Sequence, residues 1–173
     1  MTNEIAPDTK DWAEVLDEGC AECGFTGRED PTGVAATVRE SVPRWARVLG
    51  RSDVRERSRP GRWSDLEYAA HMRDILTLFR DRTRLILTEE HPELPKFDGD
   101  PVAVDSDYRS QDPAVVRTDL GDAAADYADV LSRIDGEQWA RTGRRADGRV
   151  FTLTGLTLYG LHEVRHHLGD VDG

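Results

Sequence analysis

Apolar residues recur at intervals of three and four along most of this chain, the spacing that places side chains on one face of an α-helix. The pattern predicts four long helices, over residues 32–49, 64–88, 112–133 and 154–168. Pro43 falls within the first and predicts a kink, because proline lacks the backbone N–H of a helix interior. Four long helices with little predicted strand indicate an all-α fold, an antiparallel four-helix bundle.

Several predicted helices begin with recognisable caps. Ser64 and Glu67 form the capping box S-x-x-E at the start of the second helix. Asp112 precedes a proline, which is typical of an N-cap followed by the first helical residue. Either Thr152 or Thr154 can cap the fourth helix. These signals support the helix starts that the apolar period predicts.

The remaining segments are predicted to be irregular. Residues 1–31 are polar and contain a C-x-x-C pair, so we expect an irregular extension on the surface of a bundle that spans 32–173. Residues 89–111 contain three prolines and form a long connection, either a crossover or a lid. An Asp-Gly pair within 144–151 predicts a short hairpin before the last helix.

Charge and composition exclude some classes of partner. The net charge of −11 argues against general nucleic-acid binding, which needs a basic face to neutralise phosphates. Anionic membranes are disfavoured for the same reason. The chain has no apolar run of about 18 residues, and its first residues lack the basic and apolar regions of a secretory leader. We therefore expect a cytoplasmic protein.

Two histidines near the end of the fourth predicted helix have the spacing of a metal clamp. His162 and His166 are four residues apart, so both imidazoles lie on one helical face and can reach the same cation. We expect the third ligand to be His71, which lies in the strongly periodic second helix. His91 lies in an acidic, proline-flanked connector and is predicted to be on the surface, and His167 to be a surface neighbour of the pair. The pattern favours a metal site held by facing helices.

The same helix contains a protease-like motif. His162, Glu163 and His166 read H-E-x-x-H, and with Gly169 and Asp172 they extend to the pattern of some zinc metalloproteases, in which Glu163 would be the general base. The sequence leaves no room downstream for the Met-turn of those proteases, and no strand-rich half precedes the motif. A protease is therefore the less favoured interpretation.

Cys20 and Cys23 form a C-x-x-C pair that resembles half of a zinc knuckle. A four-ligand zinc site needs a second pair, and the sequence has no other cysteine. A redox pair, a half-site completed by a partner chain or by His or Asp, and two plain thiols all remain open. Because the βαβ context of a thioredoxin-like pair is missing, plain thiols or a weak structural site are favoured over catalysis.

Three segments together resemble the DinB-like superfamily: W-S-D-L-E-Y-A-A-H-M-R-D at 63–74, D-G-R-V-F-T-L-T-G-L at 147–156 and L-H-E-V-R-H-H-L-G-D-V at 161–171. The resemblance covers about 31–171, and the superfamily includes mycothiol-dependent maleylpyruvate isomerases and bacillithiol transferases. It implies an up-down-down-up four-helix bundle, often dimeric, with one zinc or nickel ion held by three side chains and open to water or substrate. By position these side chains would be His71, His162 and His166. The cysteine pair lies outside the shared core.

An ion with three imidazole ligands and an open position favours a bound hydroxide or thiolate, because coordination lowers the pKa of the bound acid. We therefore predict a metal-dependent thiol S-transferase or isomerase that activates a low-molecular-weight thiol for attack on an electrophilic small molecule. Mycothiol is the first candidate thiol, since arginine outnumbers lysine by 21 to 2, as in GC-rich coding sequences. A non-catalytic metal-binding bundle with a stress or interaction role is the competing class.

Four further residues receive supporting roles in this hypothesis. Arg73 and Arg165 are candidates for anchoring a carboxylate of the substrate. Asp170 extends the face of the predicted histidine pair and is expected to hydrogen-bond a ligand imidazole or a water. Glu163 lies about 100° from the preceding residue around the helix, so it is expected in a supporting or surface position.

Overall fold

The computed structural model describes Ile5 and residues 10–173. The described residues form six α-helices: α1 (Val15–Glu18), α2 (Val34–Val48), α3 (Asp65–Thr88), α4 (Gly99–Asp105), α5 (Pro113–Leu131) and α6 (Leu153–Asp170). The predicted hairpin is present as two short antiparallel strands, β1 (Thr142–Arg144) and β2 (Val150–Thr152), in which Thr142 pairs with Thr152.

The four long helices α2, α3, α5 and α6 form the bundle. Helix α3 packs mainly on α5 and α6, and α2 packs on the same two helices. Their apolar faces meet in a core that includes the buried rings of Trp45, Phe79 and Tyr127. The predicted all-α fold and its four-helix bundle are thereby confirmed. A membrane-spanning helix is not found among the described residues.

The helix starts follow the caps that the sequence predicts. Ser64 accepts a hydrogen bond from the Glu67 backbone N–H at 3.3 Å, and the Glu67 carboxylate accepts one from the Ser64 N–H at 2.8 Å. Thr152, rather than Thr154, caps α6 by accepting from the Gly155 N–H at 3.0 Å. Helix α2 runs without interruption from Val34 to Val48, although Pro43 lies inside it.

The N-terminal segment is packed against the bundle. Ala13, Val15 and Phe25 are buried, and α1 contacts α6. The expected irregular surface extension therefore needs correction for the described residues from 10 onwards, which contain a 3-10 turn at Trp12–Glu14 as well as α1. Its few apolar residues are too widely and irregularly spaced to produce a periodic signal. This segment places the C-x-x-C turn beside α6.

The long connection between α3 and α5 covers His71. A Cβ added to Gly99, at the start of α4, would lie 3.0 Å from His71 Cε1, and the Phe97 ring centroid lies 6.1 Å from that of His71. The connection is tied to the hairpin, because the Leu94 N–H donates to the Arg144 carbonyl at 2.8 Å. The connection is therefore best described as a crossover, one of the two predicted alternatives, and it also covers His71.

Candidate metal centre

Helix α6 carries two pairs of potential metal ligands on neighbouring faces. His162 and His166 form one i, i+4 pair, and Glu163 and His167 form a second pair displaced by one residue. Successive residues of an α-helix are rotated by roughly 100° at 3.6 residues per turn. The two pairs therefore point in different directions, and each one meets a different part of the chain.

The first group, here called the carboxylate site, consists of His71 from α3 with Glu163 and His167 from α6. One potential ligand atom from each residue lies within 4.8 Å of the other two. The ring centroids of His71 and His167 are 4.9 Å apart, and Glu163 Oε2 lies 3.5 Å from His167 Nε2. His71 and Glu163 are buried, and His167 is half-buried. The site thus joins two helices of the bundle.

Two further observations indicate that the carboxylate site is suited to a metal ion. Asp170 Oδ2 lies 2.9 Å from His167 Nδ1, which orients the ring so that Nε2 is directed towards Glu163. Carboxylates commonly hold ligand imidazoles in this way. His71 Nδ1 is buried and has no hydrogen-bond partner in the described part of the chain. A buried polar atom without a partner marks a place where a ligand or an ordered water is expected.

The protein environment shifts the pKa values of these three side chains in different directions. Burial lowers the pKa of His71 to about 3, and the nearby His167 acts in the same direction, so His71 is neutral at pH 7 with a free lone pair. Although burial opposes it, hydrogen bonds to Asp170 and Glu163 raise the pKa of His167 to about 9. The two neighbouring histidines, His162 and His167, lower the pKa of Glu163 against the effect of burial. A cation bound through the Nε2 atom of His167 would have to displace a proton from this ring.

The second group, here called the cysteine site, contains Cys20, Cys23, His162 and His166. One ligand atom of each lies within 4.8 Å of the others, and Cys20 Sγ is 3.6 Å from His166 Nδ1. Both thiols are free. Burial raises the pKa of Cys23 to about 11. The pKa of Cys20 is lowered, because backbone N–H groups of the turn and the nearby His162 ring outweigh the opposing effect of burial.

The structure does not bring the three predicted histidine ligands together. His71 faces Glu163 and His167, whereas the predicted pair, His162 and His166, faces the two cysteines. Both pairs on α6 have the same spacing, so the spacing cannot show which of them is directed towards α3. The rotation of roughly 100° that seemed to remove Glu163 from the site instead places it there.

The H-E-x-x-H motif is divided between the two groups. Its glutamate, Glu163, lies in the carboxylate site, while its histidines lie beside the cysteine sulfurs. A metalloprotease needs both histidines on an ion that keeps an open position, with the glutamate directed at the bound water. This arrangement gives the protease interpretation no support.

A cavity of about 540 Å³ opens beside the carboxylate site. This volume falls within the range of about 300–1,000 Å³ that is typical of ligand pockets. The Trp63 ring, whose centroid lies 5.0 Å from that of His71, forms part of the wall with Trp12 and Tyr159. Arg145 brings a guanidinium to the cavity and pairs with Asp11 at 2.8 Å. The site and the cavity together could hold a small-molecule substrate.

The other predicted site residues are placed as follows. Arg73 donates to Asp74 and Arg165 to Glu29, and neither arginine is among the described residues that line the cavity. Asp170 hydrogen-bonds His167, which was not one of the predicted ligands, and does not hydrogen-bond His166. Arg145 was not predicted, because its approach to the cavity depends on how the hairpin packs.

His91 is exposed, as expected, and lies 2.6 Å from a threonine hydroxyl of β1 through its Nδ1 atom. It is not among the described residues that line the cavity.

The fold and the carboxylate site define a four-helix-bundle protein with a candidate metal centre between two of its helices. The family model of the DinB superfamily matches residues 35–171, and the chain belongs to this superfamily. The structure is similar to YfiT from Bacillus subtilis, described as "a probable metal-dependent hydrolase with an unusual four-helix bundle topology". The TM-score is 0.69 at 21% identity, over 98% of this chain and 91% of YfiT. At this identity the similarity shows the fold alone. No curated protein matches the chain.

Proposed function

We propose that this chain is a divalent-metal-dependent enzyme in which His71, Glu163 and His167 hold the ion. Two histidines and a glutamate form the donor set of several zinc hydrolases, which leave a further coordination position to water or substrate. The observation that carries the proposal is the convergence of three donors from two helices beside a cavity large enough for a small molecule. Two observations support it: His71 Nδ1 has no hydrogen-bond partner among the described residues, and Asp170 hydrogen-bonds His167.

The residues around the site have separate tasks in this proposal. A bound ion would supply Lewis acidity and lower the pKa of a coordinated water or thiol. Asp170 holds the His167 ring in a fixed orientation and tautomer. Trp63 and Phe97 pack around His71 and shield it from bulk water. Tyr159 adds aromatic surface against which a substrate can pack.

Water is the nucleophile that this donor set favours, so hydrolysis of an electrophilic small molecule is the first activity to test. The description of YfiT as a probable metal-dependent hydrolase agrees with this choice. The second candidate is attack by a low-molecular-weight thiol such as mycothiol, leading to transfer or isomerisation. The sequence resemblance supports it, and the cavity volume is compatible with a thiol cosubstrate. A zinc or nickel ion, a homodimer and a cytoplasmic location stay predictions.

The metal content of the purified full-length protein tests the proposed ligands. Elemental analysis of the wild type, His71→Ala and the matched control His91→Ala is expected to show loss of one equivalent of metal in His71→Ala alone. Hydrolysis of an ester and amide panel, and thiol conjugation with millimolar small thiols, should be lost in the same variant. Unchanged metal in a folded His71→Ala protein would contradict the ligand assignment. Metal binding without either activity would instead favour a non-catalytic bundle.

A further inference from the structure

The cysteine site lies only partly within the part of the chain that the superfamily shares. Its two cysteines precede residues 35–171, which the DinB family model matches, whereas both of its histidines fall within that range. From this arrangement we infer that Cys20, Cys23, His162 and His166 bind a structural zinc ion in a closed shell of four ligands. The inference is independent of the function proposed for the carboxylate site.

The distances between the four side chains suit a tetrahedral zinc ion. With bonds of about 2.3 Å to sulfur and 2.0–2.1 Å to nitrogen, neighbouring ligand atoms of a tetrahedral site lie roughly 3.3–3.8 Å apart. Cys20 Sγ and His166 Nδ1 are 3.6 Å apart, and no pair in the group exceeds 4.8 Å. Small side-chain adjustments are therefore enough to close the shell.

His162 supplies the observation that points most directly to a ligand. Its side chain is completely buried, and its Nδ1 lies 3.2 Å from Glu163 Oε1. Its other ring nitrogen, Nε2, is buried and makes no hydrogen bond within the described part of the chain. Because buried polar atoms are nearly always partnered, this nitrogen lacks a partner that a zinc ion would supply.

In His166, the second histidine of the cysteine site, the other ring nitrogen is directed at a sulfur. His166 Nε2 faces two acids, Glu22 at 3.7 Å and Asp170 at 3.9 Å. This leaves Nδ1 directed at the sulfur of Cys20. Carboxylates around the outer nitrogen of a ligand imidazole are the usual support of a zinc site.

Backbone hydrogen bonds fix the conformation of the C-x-x-C turn that carries the two sulfurs. The Cys20 N–H donates to the Phe25 carbonyl at 2.8 Å, and the Gly24 N–H donates to the Cys20 carbonyl at 2.9 Å. Gly24 has a φ of 72°, in the left-handed region that favours glycine. The sequence Cys-x-x-Cys-Gly thereby closes a tight turn beside α6.

A closed shell of two thiolates and two imidazoles indicates a structural and not a catalytic ion, because no coordination position remains open. Its place in the fold gives it a function. Trp12 packs on both histidine rings, with centroids 5.6 Å from His162 and 4.8 Å from His166, and it also lines the cavity beside the carboxylate site. The zinc ion would therefore attach the N-terminal segment to α6 and hold one wall of the cavity.

Zinc K-edge X-ray absorption on the full-length protein, purified under reducing conditions and loaded with zinc alone, tests the inference. We expect a sulfur shell at about 2.3 Å in the wild type. This shell should be lost, together with one equivalent of zinc, in the Cys20→Ser/Cys23→Ser variant. It should be kept in His71→Ala, which alters only the carboxylate site, so the two metal proposals can fail separately. A wild-type spectrum without sulfur would overturn the inference.

A second measurement covers the case in which the double serine variant does not fold. In the zinc-loaded His71→Ala variant, which leaves only the cysteine site intact, both thiols should react slowly with a thiol-specific reagent until a chelator is added, after which two thiols react for each zinc released. Rapid reaction of both thiols before chelation, or formation of a disulfide between them in the zinc-loaded protein, would contradict a zinc-bound pair.

Discussion

Replacement of Asp170 tests how the carboxylate site is organised without removing a ligand. The Asp170 carboxylate lies 2.9 Å from His167 Nδ1 and controls which ring nitrogen is directed at Glu163. Asp170→Asn keeps an oxygen in nearly the same place but removes its charge. Asp170→Ala removes both the charge and the hydrogen-bond acceptor. The two variants should therefore weaken metal binding to different degrees.

The expected size of the effect follows from the exposure of the two groups. The side chains of His167 and Asp170 are only 15% and 21% exposed, so water competes poorly with their hydrogen bond. Loss of such supporting groups generally costs 10–100-fold in metal affinity, or about 1.4–2.8 kcal/mol. We expect Asp170→Asn near the lower end of this range and Asp170→Ala near the upper end.

Titration with Co²⁺, followed by its ligand-field absorption, measures this affinity. A cobalt ion on the cysteine site would be recognised by its sulfur charge-transfer band and can be counted separately. Asp172→Asn is the matched control, because it removes the same charge from an exposed residue two positions further along. If Asp170→Ala binds cobalt as tightly as the wild type while His167→Ala does not, Asp170 does not orient the ligand and the reasoning is refuted.

Two further predictions concern the bundle. Gly160→Ala should destabilise the protein by about 2 kcal/mol relative to Gly169→Ala in urea unfolding. A Cβ on Gly160 would lie 2.6 Å from the buried Tyr127 Oη, whereas no described atom lies within 4 Å of a Cβ on Gly169. Equal stability of the two variants would contradict this close packing. Glu67→Gln should cost about 1.5–3 kcal/mol at pH 7. Burial alone would raise the pKa of Glu67, but hydrogen bonds from Arg57, at 2.9 Å, and from Ser64 lower it. The stability that ionised Glu67 contributes is therefore present above about pH 4.5 and is lost as the pH falls below that value. A difference between wild type and Glu67→Gln that does not shrink in acid would disprove the linkage.

The bundle helices could be predicted from sequence because their period and their caps are local properties. The Ser64 capping box and the start of α6 at Thr152 each depend on residues within three positions of one another. The covering of His71 by Phe97 and Gly99 could not be predicted in the same way, since it joins residues more than 25 positions apart that share no periodic pattern. The same limitation applies to the choice between the two ligand pairs of α6.

The N-terminal segment shows why that choice depends on tertiary structure. The buried residues Leu161, Val164 and Leu168 mark the side of α6 that faces the bundle core, and the His162–His166 pair lies on nearly the opposite side of the helix. In a bare four-helix bundle this face would be exposed to water.

His162 is nevertheless completely buried, because Trp12 and Phe25 pack against its ring. Covering an imidazole nitrogen that has no hydrogen-bond partner among the described residues is unfavourable. A zinc ion shared with Cys20 and Cys23 would remove this cost, because it would partner the buried nitrogen and attach the segment to the helix. On this reasoning the Cys20–Cys23 pair accounts for histidines on the side of α6 that faces away from the core, and the His162–His166 pair accounts for the two cysteines in the N-terminal segment.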